Sequence, residues 1–167
     1  MFKKIVCSDI DGTLLNKDRE LSPKTIAVVK SISPVPFILI SSRMPRAMFH
    51  LQKELAITHL PMIAYNGALL VDQGKVLYSS EIDSKTAKRI AEFCQNTSIH
   101  TSLYHNDEWF VPAMDYWAER ERNNTKVIPA VNPISKTLES WLQQQKGLHK
   151  IMCMGEENEI ERLAVFL

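Results

Sequence analysis

No stretch of this 167-residue chain is apolar for long enough to span a bilayer, which takes about 20 residues in a helix. The opening Met1-Phe2-Lys3-Lys4 leads into only three or four apolar residues, too short for the core of a signal peptide. Charge of one sign is also lacking. Twenty Lys and Arg face nineteen Asp and Glu, a net +1, so no strong field draws the chain to nucleic acid or a membrane surface. Cysteine is scarce. Cys7, Cys94 and Cys153 are odd in number and far apart, which gives neither a disulfide framework nor metal-ligand spacing. A reducing cytoplasm fits, and Cys7 is expected to be a small buried hydrophobe. The five histidines, His50, His59, His100, His105 and His149, show no ligand spacing and read as surface or satisfied side chains. Internal repeats and low-complexity segments are absent.

What is present suits a soluble globular protein of one domain or two small ones, with 45% hydrophobic and 23% charged residues. The most informative segment is Asp9-Ile10-Asp11-Gly12-Thr13, set between the apolar runs Ile5-Val6-Cys7 and Leu14-Leu15. It reads as a buried strand ending in a tight turn. Strand alternation puts Asp9 and Asp11 on one side. Two acids there suit a divalent cation and a phosphate, or a nucleophile and an acid–base group acting on one substrate. Gly12 permits a sharp turn, and Thr13 offers a hydroxyl. A calcium loop counted from Asp9 would put Glu20 at its twelfth position, but Leu14 stands where such loops need Gly. An Asx turn after a strand is the plainer structural reading.

Downstream, Ser22-Pro23 predicts a helix start, with Ile26, Val29 and Ile32 at helical spacing. Phe37-Ile38-Leu39-Ile40 is a continuous apolar run, as in a strand buried on both faces. Pro45 opens a second helix carrying Met48, Leu51 and Leu55, and Met62-Ile63-Ala64-Tyr65 is a third strand. Strand–helix–strand–helix–strand predicts a doubly wound α/β layer, which binds ligands at the carboxyl ends of its strands. Both the Asp9 segment and Ser41-Ser42-Arg43 fall there. Ala68–Val71 and Lys75–Tyr78 flank Asp72-Gln73-Gly74 and predict a hairpin. The composition shifts near Ile82-Asp83. Beyond it come a helix over 84–97, strands near Ser102-Leu103-Tyr104 and Trp109-Phe110-Val111, and a short charged helix from Asp115 to Arg122. A loop over 129–133, a helix with Leu138, Trp141 and Leu142, a strand over 148–154 and a helix from Glu156 follow. Trp109, Trp117 and Trp141 read as core rather than as a substrate platform.

Asp-x-Asp-Gly-Thr at the end of an N-terminal strand resembles the first motif of the haloacid dehalogenase superfamily. The wider Ile-Val-Cys-Ser-Asp-Ile-Asp-Gly-Thr-Leu-Leu-Asn resembles its Cof-type phosphatases. The resemblance implies an α/β fold: a Rossmann-like parallel sheet over residues 1–82 and an inserted α+β cap over 83–167, both incomplete. It also implies a magnesium-dependent phosphatase of small phosphorylated metabolites, sugar phosphates among them, working through a phospho-aspartate. Asp9 takes the nucleophile's place and Asp11 that of the acid and base; both take the metal ligands' places, Asp11 through its carbonyl. Ser41 corresponds to the hydroxyl that holds the phosphoryl group, and Ile10, Ser42 and Arg43 complete the phosphate-contacting set. Ser42 departs from the family's usual Gly. Asn66-Gly67-Ala68 resembles a recurrent segment but reads more simply as a turn.

A family Lys and a Gly-Asp-x-x-x-Asp do not occur in this sequence, which therefore reads as the front part of a longer chain, weakly active or inactive alone. The first strand is expected to leave an open apolar edge that favours self-association. The alternatives are a non-catalytic α/β module that binds phosphate or a partner, and a phosphomutase-type relative.

Overall fold

Local chemistry sets the elements of the computed structural model, which describes residues 4–167. The Met1-Phe2-Lys3 part of the N-terminal reading lies outside them. The chain divides after Ser80 into two compact units.

The first unit holds β1 (Val6–Asp9), α1 (Pro23–Ser31), β2 (Phe37–Ile40), α2 (Arg46–Leu55), β3 (Met62–Ala64), β4 (Leu69–Asp72) and β5 (Lys75–Ser79). Ser22 caps α1 by accepting the Thr25 N–H at 3.0 Å, with Pro23 in the first turn, where its missing N–H costs nothing. In α2 the residues Met48, Leu51 and Leu55 are all buried, as the spacing of three and four requires. The strands lie in the order β1-β2-β3-β4-β5; β1–β2 and β2–β3 are parallel, the later pairs antiparallel. Gln73 and Gly74 both take positive φ, 48° and 82°. This is the two-residue turn whose twist suits a hairpin.

One expectation is corrected here. The first strand is not buried: Ile5 is 58% exposed, Val6 36%, and Cys7 is exposed too. β1 is an edge strand with β2 as its one neighbour, so half its backbone groups and much of its side-chain surface meet solvent. The parallel order β1-β2-β3, with a helix in each crossover, is the expected α/β layer. α1 and α2 pack on each other, as two successive right-handed crossovers on one face of a sheet must. The buried strand is β2, where Phe37, Ile38 and Leu39 are at most 7% exposed.

The second unit holds α3 (Ser84–Gln95), β6 (His100–His105), β7 (Glu108–Val111), α4 (Tyr116–Thr125), β8 (Ala130–Val131), α5 (Ile134–Gln143), β9 (Lys150–Met154) and α6 (Glu157–Phe166). Its sheet runs β8-β7-β6-β9. The expected loop over 129–133 contains β8, which pairs in parallel with β7. Asp83 caps α3 through the N–H groups of Lys85 and Thr86. One core cluster gathers Ala87, Leu103, Trp141 and Leu148; another gathers Ile90, Cys94, Ile99 and Leu163. Trp109 and Trp141 are buried, the latter edge-on to Phe110, while Trp117 is half-buried against exposed Tyr116. No helix of the described residues is long and apolar enough to cross a membrane.

Candidate active site

The carboxyl ends of β1 and β2 lie side by side because the two strands are parallel and in register, Asp9 opposite Ile40. Asp9 ends β1, and its carboxylate is exposed with no hydrogen-bond or ion-pair partner among the described residues. Ile10 is fully buried, and its carbonyl accepts the N–H groups of Thr13, Leu14 and Leu15. That folds the chain back immediately after the strand. Gly12 takes φ 78°, a conformation in which a side chain is strained.

Ser41 follows β2 and is 2% exposed; its Oγ accepts the Arg43 N–H at 3.2 Å. The third strand adds the Asn66 N–H, which donates to the Ser41 carbonyl at 2.9 Å, and the Tyr65 N–H, which donates to the Arg43 carbonyl. Asn66 sits in the left-handed region at φ 55°, ψ 32°. Its main chain therefore braces the Ser41 loop, a positioning part that goes beyond an ordinary turn. Ser42 is exposed and outside the positive-φ residues, so its side chain is accommodated where the family's usual residue is Gly.

Arg43 is buried, and its guanidinium grips Asp11 with two bonds, Nε to Oδ2 and Nη2 to Oδ1, each 2.8 Å. Arg19, at φ 62°, adds Nη1 to Oδ1 at 2.8 Å. Partial burial pushes the Asp11 carboxyl up, but the two arginines outweigh it and hold the group below its ordinary 3.8. Asp11 is thus a carboxylate whose charge is met by two guanidinium groups, whereas Asp9 is unmet. Arg43 is no solvated charge at a helix start, and Arg19 was not among the sequence candidates. A charged residue in a polar loop gives no sign of its target until the chain turns back on itself.

The oxygen donors fit a hard cation of the magnesium type: the Asp9 carboxylate stands free at the strand end, and the Asp11 main-chain carbonyl lies beside it in sequence while the Asp11 carboxylate is engaged by arginine. These two donors are fewer than the near-octahedral oxygen set that such a cation takes.

The second unit holds two polar clusters that spacing did not reveal. His100 Nδ1 lies 2.7 Å from Asp115 Oδ2 and Nε2 lies 2.8 Å from Ser102 Oγ, which also accepts the Trp109 indole N–H at 3.2 Å. The order Ser–His–Asp imitates a nucleophilic relay, but Ser102 is fully buried and no reacting atom reaches it. Glu81, His105 and His149 bring one ligand-type atom each within 4.8 Å of the others. Their hydrogen bonds oppose a common cation. His105 Nδ1 faces the Gly147 carbonyl at 2.9 Å and so carries a proton. His149 Nδ1 accepts the Asn106 N–H at 3.1 Å, which leaves the proton of the neutral ring on Nε2, the nitrogen 3.9 Å from Glu81 Oε1. Burial and the neighbouring His105 lower the His149 pKa, against the pull of Glu81. Of the five histidines, His100, His105 and His149 are buried and bonded, His50 is half-buried and His59 exposed.

Comparison with known proteins bears on the first unit and the second together. The family profile of haloacid dehalogenase-like hydrolases matches residues 6–166. A protein of Haemophilus influenzae is 28% identical over 172 residues, covering 100% of this chain and 62% of the relative. The 5-amino-6-(5-phospho-D-ribitylamino)uracil phosphatase of Bacillus subtilis is 29% identical over 139 residues, covering 83% of this chain and 48% of that enzyme. Among solved structures, a haloacid dehalogenase-like hydrolase from Bacteroides thetaiotaomicron matches with a TM-score of 0.84 at 16% identity, over 99% of this chain and 63% of the other. The chain therefore spans about three fifths of the length of the first relatives it matches. With the profile running through both units and the paired aspartates at the end of β1, the chain belongs to the haloacid dehalogenase-like hydrolases.

Proposed function

We propose that this chain carries the nucleophile half of a magnesium-dependent phosphatase of small phosphorylated metabolites. The observation that carries the reading is the pairing at the strand ends: a free, exposed Asp9 carboxylate beside the Ser41–Arg43 loop, with Asp11 held by two arginines. The Bacillus subtilis relative, by its name, acts on a small phosphorylated compound, which supports the substrate class.

In this reading Asp9 attacks phosphorus and becomes an acyl phosphate as the alkoxide leaves; water then releases phosphate and restores Asp9. Ser41 donates its hydroxyl to a phosphoryl oxygen, and Arg43, Ser42 and the Ile10 main chain complete the phosphate contacts. Asp11 protonates the leaving oxygen and then takes a proton from water. As a doubly paired carboxylate it is set for the second role. A phosphate dianion competing for Arg43 and Arg19 loosens their hold and lets Asp11 take the proton it needs for the first. Asp9 and the Asp11 carbonyl would help hold magnesium, which when bound would neutralise charge on the transferring group.

In this reading the core portion spans 1–82 and the cap portion 83–167, close to the division of the chain after Ser80. Residence in the cytoplasm is supported by three free cysteines. Association of copies through β1 is supported by its apolar, singly paired edge.

The test is magnesium-dependent release of phosphate from an aryl phosphate, by this chain and by a chain extended to the length of its relatives, each beside Asp9→Asn. Release by the extended chain that disappears in the variant is expected, with far less from the 167 residues alone. Equal release by Asp9→Asn and the parent would overturn the reading.

A further inference from the structure

Cys94 and Cys153 are far apart in sequence, yet the second unit gathers them at one core cluster, with Cys153 packed against the group that contains Cys94. Three features place them. Cys94 lies in the last turn of α3 and is buried in the cluster of Ile90 and Ile99, against which Cys153 packs. Cys153 sits on β9 directly opposite Thr101 of β6, so the two side chains share one face of the sheet. Thr101 Oγ1 is buried without a hydrogen-bond partner among the described residues. A cleft of about 550 Å³ between α3 and α5 reaches this place: Cys94 and Thr101 line its wall, with Ile99, Leu138 and Pro112 around them. Cys153 is not among the lining residues.

We propose that Cys94 and Cys153 form a peroxide-reactive thiol pair, with Cys94 attacking from the cleft and Cys153 closing a disulfide behind it. The Cys94 thiolate attacks a peroxide oxygen; an S–O bond forms, the O–O bond breaks, and the departing alkoxide or hydroxide takes a proton. Cys94 is then a sulfenic acid. The Cys153 sulfur, giving up its proton, attacks the Cys94 sulfur; S–S forms, S–O breaks, and hydroxide leaves as water. Two thiols and one peroxide yield one disulfide, one alcohol or water, and one further water.

Access assigns the roles: Cys94 lines the cleft and Cys153 does not. The neighbouring Cys153 thiol, opposed by burial and helped by Thr101, brings the Cys94 thiol down to about 7, while its partner and burial push Cys153 up. The thiolate is the reactive form, and it belongs to the cysteine that faces the cleft. The remaining cysteine, Cys7, is exposed in the other unit and is replaced in the test so that it forms no linkage of its own.

The experiment exposes the folded chain carrying Cys7→Ser, which leaves both core thiols in place, to an equimolar amount of hydrogen peroxide near neutral pH. The product is unfolded in alkylating agent without reductant and its peptides are mapped by mass spectrometry. A linked pair of peptides containing Cys94 and Cys153, lost on adding dithiothreitol, is the expected result. Full alkylation of both cysteines, as in untreated protein, overturns the proposal, as does a linkage found only between two chains. Dimedone added to folded Cys153→Ala is expected to label Cys94 as its sulfenic acid. An adduct on Cys153 in Cys94→Ala, with none on Cys94 in Cys153→Ala, would overturn the assignment of the attacking sulfur.

Discussion

Arg43 shows how much of the candidate site depends on one planar cation. A lysine in its place could neutralise Asp11 but not bind both carboxylate oxygens at once. Arg19 reinforces the grip from an exposed loop. Because the folded Asp11 value lies below 3.8, its contribution to stability is present above that pH and is lost as pH falls through the folded value. Arg19→Ala is expected to raise the Asp11 midpoint toward 3.8 in a carboxyl-carbon NMR titration, and to shrink the acid-side loss; an unmoved midpoint would show that the contact has no electrostatic weight. His149 gives the complementary case. Its folded pKa is below the ordinary 6.5, so above that pH neither state is charged and nothing is lost. As pH drops below it, the unfolded chain takes the proton first and stability declines until the folded value is passed. His105 and Glu81 face the same ring, so the slope is read against a variant. His149→Gln, which keeps an acceptor for the Asn106 N–H, is expected to flatten the fall of urea-unfolding free energy as pH drops below 6.5. A slope equal to the parent's would remove His149 from the account.

At the scale of elements, local signals and long-range ones part company. The cap at Ser22, the turn at Gln73-Gly74 and the spacing of Met48, Leu51 and Leu55 were legible because each is complete within a few residues. β8 was not, since Ala130–Val131 carries no period and exists only because β7 offers a free edge. The join between Ile82 and Leu148 was also hidden. There the Ile82 N–H donates to the Leu148 carbonyl at 2.7 Å and the Leu148 N–H returns to Ile82 at 3.1 Å. Gly147 permits this approach for lack of a side chain: an added Cβ would lie 2.7 Å from the Glu81 Cβ and 2.9 Å from the Ile82 carbonyl oxygen. Gly147→Ala is therefore expected to cost about 1–3 kcal/mol, as overpacking against backbone does. Ser22→Ala, which removes one cap bond and leaves α1 otherwise intact, is expected to cost about 1 kcal/mol. Chemical denaturation orders the two, and a Gly147→Ala chain as stable as the parent would refute the close approach.

For the molecule as a whole, the candidate site was legible to the extent that it is a motif. Asp9 and Asp11 sit two residues apart and announce themselves, and Ser41 follows from the strand that must lie beside them. Arg19 and the Asn66 main chain were not legible, because their parts are set by backbone turns at positive φ that the sequence does not mark. The clusters around His100 and His149 join residues far apart in the chain, which no spacing rule detects. Burial of β1 was misjudged for the opposite reason: an apolar run signals a strand without saying how many neighbours it has. Its exposed Ile5 and Val6, beside a single partner strand, make the sheet edge the surface by which copies of this chain would pair. A charge on such an edge opposes pairing by leaving an ammonium against apolar surface and backbone. Val6→Lys is thus expected to hold the chain monomeric at concentrations where the parent sediments as larger species, with little change in its own unfolding because Val6 is already 36% exposed. Sedimentation velocity over a dilution series decides: a parent that stays monomeric throughout, or a variant that associates as strongly, would exclude β1 as the interface.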